Sequence, residues 1–288
     1  MTSKAALTCQ TLLDDAVQRI TSDSPRLDAE LLLAHVSGLS RTSFRAFPER
    51  KVPAHVTDEF QQLVAQRAQG MPVAYLLESQ EFWSLPLRVS NSTLIPRPDT
   101  ECLVEQALAL PLPDAARVID LGTGTGAIAL ALKSERPEWG VSACDRMDEA
   151  VTLARLNAHQ LQLEVSVTRS HWFAQLPAGH FDLIISNPPY VASGDEHLEE
   201  GDVRFEPASA LVSGTDGLDD IRLIIKAAPA WLNAGGWLLL EHGFDQAETV
   251  QDLFISQGFV GVECRKDYGG NDRMTLGQWP RKGACHAN

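Results

Sequence analysis

In the stretch FDLIISNPPYV, Phe181 to Val191, an apolar run ends in an asparagine, two prolines and a tyrosine. Phe181 to Ile185 predicts a short buried strand, and prolines cannot donate to a sheet ladder, so the strand must stop there. Pro188 and Pro189 hold φ at about −65°, which leaves the Asn187 side chain at the tip in a nearly fixed direction. Such a tip can do chemistry on a planar nitrogen. The lone pair of an amide or exocyclic amine is delocalised and poorly nucleophilic. If the Asn187 carboxamide oxygen and the Pro188 carbonyl each accept one N–H, the nitrogen is held, its lone pair is aimed, and the developing positive charge is stabilised. Tyr190 can lie on the flat face of the same group. A proline-punctuated turn without chemistry is the competing reading, so the weight of the motif depends on what else the chain carries.

A second constellation lies upstream in VIDLGTGTGAIALAL, where Gly122, Gly124 and Gly126 follow a strand and open a helix. Glycine there lets the backbone turn tightly and come close to a ligand at a helix N-terminus. NAD, FAD and S-adenosylmethionine proteins share such a turn. Asp145 ends the next predicted strand, nineteen residues after Gly126, where a carboxylate can accept both ribose hydroxyls of a nucleoside; otherwise it is a solvated strand end. Asp120, just before the glycines, either faces a cationic ligand group or serves as a cap. A hydride-transfer enzyme has no use for a rigid carboxamide beside this turn. Methyl transfer to a planar nitrogen does, which favours S-adenosylmethionine as the cofactor.

The elements that must position these residues alternate. Val118 to Leu121, Val141 to Asp145, Leu163 to Val167, Leu183 to Ser186 and Trp237 to Glu241 read as strands. Ala127 to Ser134, Asp148 to Leu161 and Gln246 to Gln257 read as helices between them. This predicts an α/β, Rossmann-like domain with a mostly parallel sheet, the fourth strand lying beside the first and ligands sitting at the carboxyl ends of the strands. Residues 1–70 predict a small helical domain, from apolar positions at helical spacing such as Leu12, Leu13, Ala16, Val17 and Ile20, then Leu27, Leu31, Leu32 and Val36, then Phe60, Leu63 and Val64. Residues 71–98 predict a hairpin connector, residues 99–280 the α/β domain, and residues 281–288 a mobile tail.

Composition narrows the classes. An apolar share of 44% suits a globular chain, and no apolar run approaches the length of about 20 residues that spans a bilayer. The opening MTSKAALTCQ has no apolar core of signal-peptide type, so a cytoplasmic protein is expected. Five cysteines without a C-x-x-C pair, and eight histidines without ligand spacing, predict neither a disulfide framework nor a metal site. Net charge is −14, yet residues 1–70 hold eight basic and eight acidic residues, so the excess acid lies in the remainder. That surface repels phosphate backbones, and direct nucleic-acid binding is not expected. Arg41, Arg45, Arg50 and Lys51 form a local basic cluster that is either a solvated face or a partner contact.

The segments AYLLESQEFWSLPL, TLIPRPDTE, DLGTGTGAIALAL, SNPPYV, VRFEPASAL and LLLEHG, in that order behind a helical N-terminal region, resemble the PrmC/HemK family. Nearly the whole chain is covered, and TLIPRPDTE and VRFEP are far more specific than NPPY. The resemblance implies a class I S-adenosylmethionine-dependent protein-glutamine N5-methyltransferase that modifies the Gly-Gly-Gln glutamine of bacterial class 1 peptide chain release factors. It implies cofactor contacts at Gly122, Thr123, Gly124, Thr125, Gly126, Asp145, Trp172 and Asn187, and a substrate clamp at Asn187, Pro188, Pro189 and Tyr190. By their chemistry alone, these residues leave Trp172 either stacked on adenine or packed in the core. Ser170-His171 stands where the family often has an acidic residue beside that tryptophan, and Leu77-Glu78 stands near its usual glycine. A DNA or RNA adenine amino methyltransferase using the same clamp is the runner-up activity; a binding module that retains a nucleoside pocket is the non-enzymatic one.

Overall fold

The structure is a computed structural model that describes residues 7–281, so all but the first residue of the expected tail lies outside it. By contact density the chain divides into two compact units, one of residues up to Ser79 with Glu196–Phe205, the other of Gln80–Asp195 with the residues from Glu206 on.

The first unit is helical: α1 (Cys9–Arg19), α2 (Pro25–Ser37), α3 (Arg41–Ala46), α4 (Ala54–Ala68) and α5 (Val73–Leu77). Thr8 caps α1 by accepting from the Thr11 N–H, and Pro25 occupies the first turn of α2, where its missing N–H costs nothing. The apolar faces predicted from the spacing converge on Leu12, Leu13, Ala16, Leu32, Leu33, Phe44, Phe60 and Val64. Residues beyond Gly70 join this unit. Leu76 and Leu77 of α5 pack on its core, and the buried Arg67 binds Asp28 at 2.8 Å and Asp202, in the distant Glu196–Phe205 segment, at 2.7 Å.

The second unit begins with a hairpin, β1 (Ser79–Phe82) and β2 (Leu85–Arg88), whose two-residue turn places Trp83 and Ser84 at φ +53° and +58°. Both being left-handed, the turn matches the twist of the strands it joins. After α6 (Glu101–Ala109) come β3 (Arg117–Leu121), α7 (Ala127–Glu135), β4 (Gly140–Asp145), α8 (Asp148–Leu161), β5 (Ser166–Arg169), β6 (Phe181–Ser186), α9 (Asp219–Ala227), β7 (Leu232–Glu241), α10 (Ala247–Gln257), β8 (Val260–Lys266) and β9 (Asp272–Gln278). Among the described residues seven of these strands form one sheet in the order β5-β4-β3-β6-β7-β9-β8. The first five of these pair in parallel, and β9 runs antiparallel to both β7 and β8. The fold is α/β and Rossmann-like, with helices on both faces and the fourth parallel strand beside the first. Two apolar layers, one on each face of the sheet, make its core.

Register sets the site. Leu121 pairs with both Cys144 and Ser186, and Asp145 with Arg169. The glycine turn, Asp145 and the Asn187 tip therefore leave the sheet along one carboxyl edge. Among the described residues no helix is long and apolar enough to cross a membrane.

Candidate active site

A cleft of about 890 Å³, its open mouth included, lies at that edge. Gly122, Thr123, Gly124, Thr125, Asp145, Trp172, Asn187 and Pro189 line it. Gly126, Pro188 and Tyr190 of the expected residues do not. Gly126 sits one step inside as the left-handed N-cap of α7, Pro188 is buried, and the half-buried Tyr190 turns its ring into the core.

The glycine turn is braced from beneath. Thr123 donates its hydroxyl to Asp120 Oδ2 at 2.5 Å and its N–H to the Cys144 carbonyl at 2.9 Å. Asp120 is fully buried and does not line the cleft, which favours the bracing role over contact with a ligand. Burial drives its carboxyl up to about 7, and its Oδ1 has no partner within the protein. Glycine is required at 122 for a second reason besides φ +68°: a Cβ there would stand 3.1 Å from the Trp172 indole. Trp172 itself is held at φ +50°, with its Nε1–H donated to Asp220 at 3.1 Å. One edge of its ring thus packs inside while the residue still lines the cleft, so neither the stacking nor the core reading is complete alone.

Asp145 already accepts two backbone N–H groups, from Gly124 at 3.0 Å on Oδ2 and from Met147 at 2.9 Å on Oδ1. Each carboxylate oxygen keeps a further lone pair. The residue shapes the turn and retains acceptor capacity toward the cleft. Cys144, next to it, is inert: burial pushes its thiol up to about 12.

At the tip, the Ser186 hydroxyl donates to the Leu121 carbonyl at 2.6 Å, tying the start of the asparagine turn to the start of the glycine turn. The Tyr190 carbonyl accepts from Gln246 Nε2 at 3.0 Å. Gly217 passes so close that a Cβ would fall 2.2 Å from that carbonyl oxygen.

Several residues of the site escaped the reading of the sequence. Thr93, Leu94, Pro96, Arg97 and Thr100 form one wall, and Ser209 and Ala210 add to the lining. Buried Glu206 accepts from the Ile95 N–H at 3.1 Å and from Arg97 at 2.7 Å, which explains why TLIPRPDTE and VRFEP occur together. Buried Asn157 joins the hairpin to the glycine turn, bonding both backbone groups of Arg88 and the Thr125 carbonyl. The signal was present in the specificity of those two segments; what was missing was any local pattern that marks a wall. Thr100 is at the N-cap position of α6 but makes no cap bond with its hydroxyl, which accepts from Asn187 Nδ2 at 3.2 Å instead.

A nucleoside-bearing group fits what is present: a cleft with an apolar floor of Ile128, Met147 and Ala150, an acidic side chain with spare acceptors, and a turn without side chains. Among the described residues no group of three or more His, Cys, Asp or Glu side chains is placed to hold a metal ion.

Comparison with known proteins agrees with this architecture. The family described as "PrmC N-terminal domain" matches residues 11–77, and "Methyltransferase small domain" matches residues 99–214. The release factor glutamine methyltransferase of Pseudomonas aeruginosa is 57% identical over 93% of this chain and 98% of its own length. The Escherichia coli protein of the same name is 50% identical over 93% and 97%. Among solved structures, a methyltransferase from Pyrococcus furiosus shares the fold at 18% identity with a TM-score of 0.53, over 77% of this chain and 98% of that one. With such identity sustained along nearly its full length, this chain belongs to the release factor glutamine methyltransferase family.

Proposed function

We propose that the protein methylates the side-chain amide nitrogen of the Gly-Gly-Gln glutamine in bacterial class 1 release factors, with S-adenosyl-L-methionine as methyl donor. The observation that carries the reading is the common rim shared by the Asn187 tip, the glycine turn and Asp145. Gly122 to Gly126 cradle the cofactor, Asp145 accepts its ribose hydroxyls, and Trp172 with Met147 covers its base. When bound, S-adenosylmethionine supplies a methyl carbon made electrophilic by its sulfonium. Asn187 Oδ1 and the Pro188 carbonyl accept the two N–H groups of the glutamine amide, turning its lone pair toward the cofactor pocket and stabilising the charge that grows on nitrogen. Pro189 keeps the turn from relaxing. No side chain needs to act as a strong base or nucleophile; positioning carries the rate. The helical unit supplies contacts to the body of the release factor, since a glutamine on a loop offers little surface of its own. Such a substrate places the enzyme in the cytoplasm.

Incubation with release factor and cofactor should add the mass of one methyl group to the Gly-Gly-Gln peptide, read by mass spectrometry. Asn187→Ala should lower kcat by roughly 10² or more and leave cofactor affinity largely intact, by analogy with a lost transition-state hydrogen bond. Unmodified glutamine with wild-type protein would overturn the assignment, and an Asn187→Ala enzyme as fast as wild type would overturn the clamp.

A further inference from the structure

One carboxylate behind the cleft lining joins the two halves of the site. Asp220, in the first turn of α9, is buried and accepts from the Trp172 Nε1–H on Oδ1 at 3.1 Å and from the Ser213 hydroxyl on Oδ2 at 2.8 Å. The Ser213 oxygen in turn accepts the Asp220 N–H at 2.8 Å, one of the donors that the start of a helix leaves open. Ser213 is itself 2% exposed, so this reciprocal pair is shut away from water and the carboxylate cannot turn without breaking its bonds.

The Oδ1 arm fixes an indole. A Cβ at Gly122 would stand 3.1 Å from Trp172 Cζ3, so the benzene end of the ring lies over the glycine turn while Asp220 holds its N–H end. The Trp172 carbonyl is bound as well, by the Ser170 hydroxyl at 2.7 Å. An indole nitrogen only donates, and Asp220 is its acceptor here. Without that acceptor the ring gains by turning its N–H to the water of the cleft, and the surface it offers there is lost.

The Oδ2 arm fixes the chain that leaves the asparagine turn. Val191 follows Tyr190 directly; its carbonyl accepts from the Ser213 N–H at 3.0 Å and its N–H donates to the Leu211 carbonyl at 2.8 Å. Ser213 is thus clasped on its backbone by Val191 and on its side chain by Asp220. Burying a carboxylate is costly unless its oxygens are engaged, and these two oxygens reach toward the two sides of the cleft where positioning matters.

We propose that Asp220 is a positioning residue that couples the cofactor half of the site to the substrate half. Through Trp172 it sets the surface offered to the cofactor base, and through Ser213 it sets the backbone that leaves the clamp. This use of Asp220 rests on the methyltransferase reading, while the linkage itself is a property of the protein alone. The two arms are separable: loss of the indole arm should show in cofactor affinity, loss of the serine arm in kcat, and loss of Asp220 in both.

Titration calorimetry of the full chain with S-adenosylmethionine reads the first arm. Asp220→Ala should weaken binding about tenfold, and Asp220→Asn, which keeps the shape and an acceptor for the indole, should recover most of that loss. Trp172→Phe removes the N–H, so Asp220→Ala should add little in that background, a strongly non-additive pair. Turnover of release factor at saturating cofactor reads the second arm. Ser213→Ala and Asp220→Ala should each lose about fivefold or more in kcat with KM little changed. Equal weakening of the cofactor by Asp220→Ala in wild type and in Trp172→Phe, or wild-type kcat in Ser213→Ala, would overturn the proposal. If Asp220→Ala fails to fold, nitrogen-15 NMR of the wild type decides. The Trp172 indole N–H, assigned by its loss in Trp172→Phe, should exchange slowly with solvent and move in Asp220→Asn; free exchange, or an unmoved signal, overturns the coupling. A wild-type protein that binds cofactor but leaves release factor unmodified would instead strike at the function, with the calorimetric result standing apart.

Discussion

Asp145 has two tasks that its position at a strand end conceals. It accepts the Gly124 and Met147 N–H groups and so shapes the turn, and it keeps lone pairs toward the cleft, where the proposed function puts the ribose hydroxyls. Replacing it with alanine should weaken S-adenosylmethionine by about 1.5 to 3 kcal/mol, the scale of charge-assisted hydrogen bonds. Asp145→Asn, with one acceptor oxygen in place of two, should fall between alanine and wild type in titration calorimetry. Three equal affinities would reduce the residue to a solvated strand end. Residues of this kind were legible in the sequence because glycine spacing and a strand-terminal acid leave a local signature. Thr100, Glu206 and Asn157 were not, since each acts on a group far along the chain: Glu206 on Ile95 and Arg97, Asn157 on Arg88 and Thr125. A lone threonine or asparagine in a sequence carries no mark of such a partner.

Among the elements, β3, β6 and the second half of β7 were readable because their buried runs are nearly continuous, while the antiparallel edge was not. β8 alternates weakly and is exposed at most of its positions, so its pairing with β9 is decided by the strand already in place. β5 was expected at Leu163 to Val167 and spans Ser166–Arg169 instead. Leu163 and Val165 are drawn into turns, their N–H groups bonded to the Ala158 and Leu163 carbonyls. α9 was legible, with Ile221, Ile224 and Ile225 at helical spacing on a buried face, and was overlooked. The loop before α9 contains the most exacting position at this scale. Gly217 holds φ +77° and leaves no room for a Cβ against the Tyr190 carbonyl. Gly217→Ala should cost about 1 to 3 kcal/mol in urea unfolding and displace the asparagine turn, so kcat should drop while cofactor affinity holds. Wild-type turnover in this variant would show that the clamp tolerates movement of its last residue.

For the molecule as a whole, the basic cluster of the helical unit divides in two. Arg41 and Arg45 surround the buried Glu30 together with Arg26, at 3.1 Å, 3.7 Å and 3.1 Å, and belong to the structure of that unit. Arg50 lies over the Phe47 ring instead. Arg41→Glu should therefore destabilise the protein by about 1 to 3 kcal/mol, by placing like charge against a buried carboxylate, and reveals nothing about docking. Reversing Arg50 and Lys51 is the cleaner probe: kcat/KM should fall for intact release factor and hardly change for a short Gly-Gly-Gln peptide. Equal behaviour toward both substrates would move the docking surface elsewhere.

Glu196–Phe205 belongs to the helical unit although the sheet strands from β3 to β6 precede it in the chain. During synthesis, residues up to Ser79 leave the ribosome with Arg67 able to meet Asp28, but Asp202 has not yet been made. The smaller unit is first to be translated and cannot be first to be finished. A nascent chain arrested before Asp202 would carry an incomplete helical unit beside a partly built sheet, the kind of intermediate that chaperones hold and proteases remove.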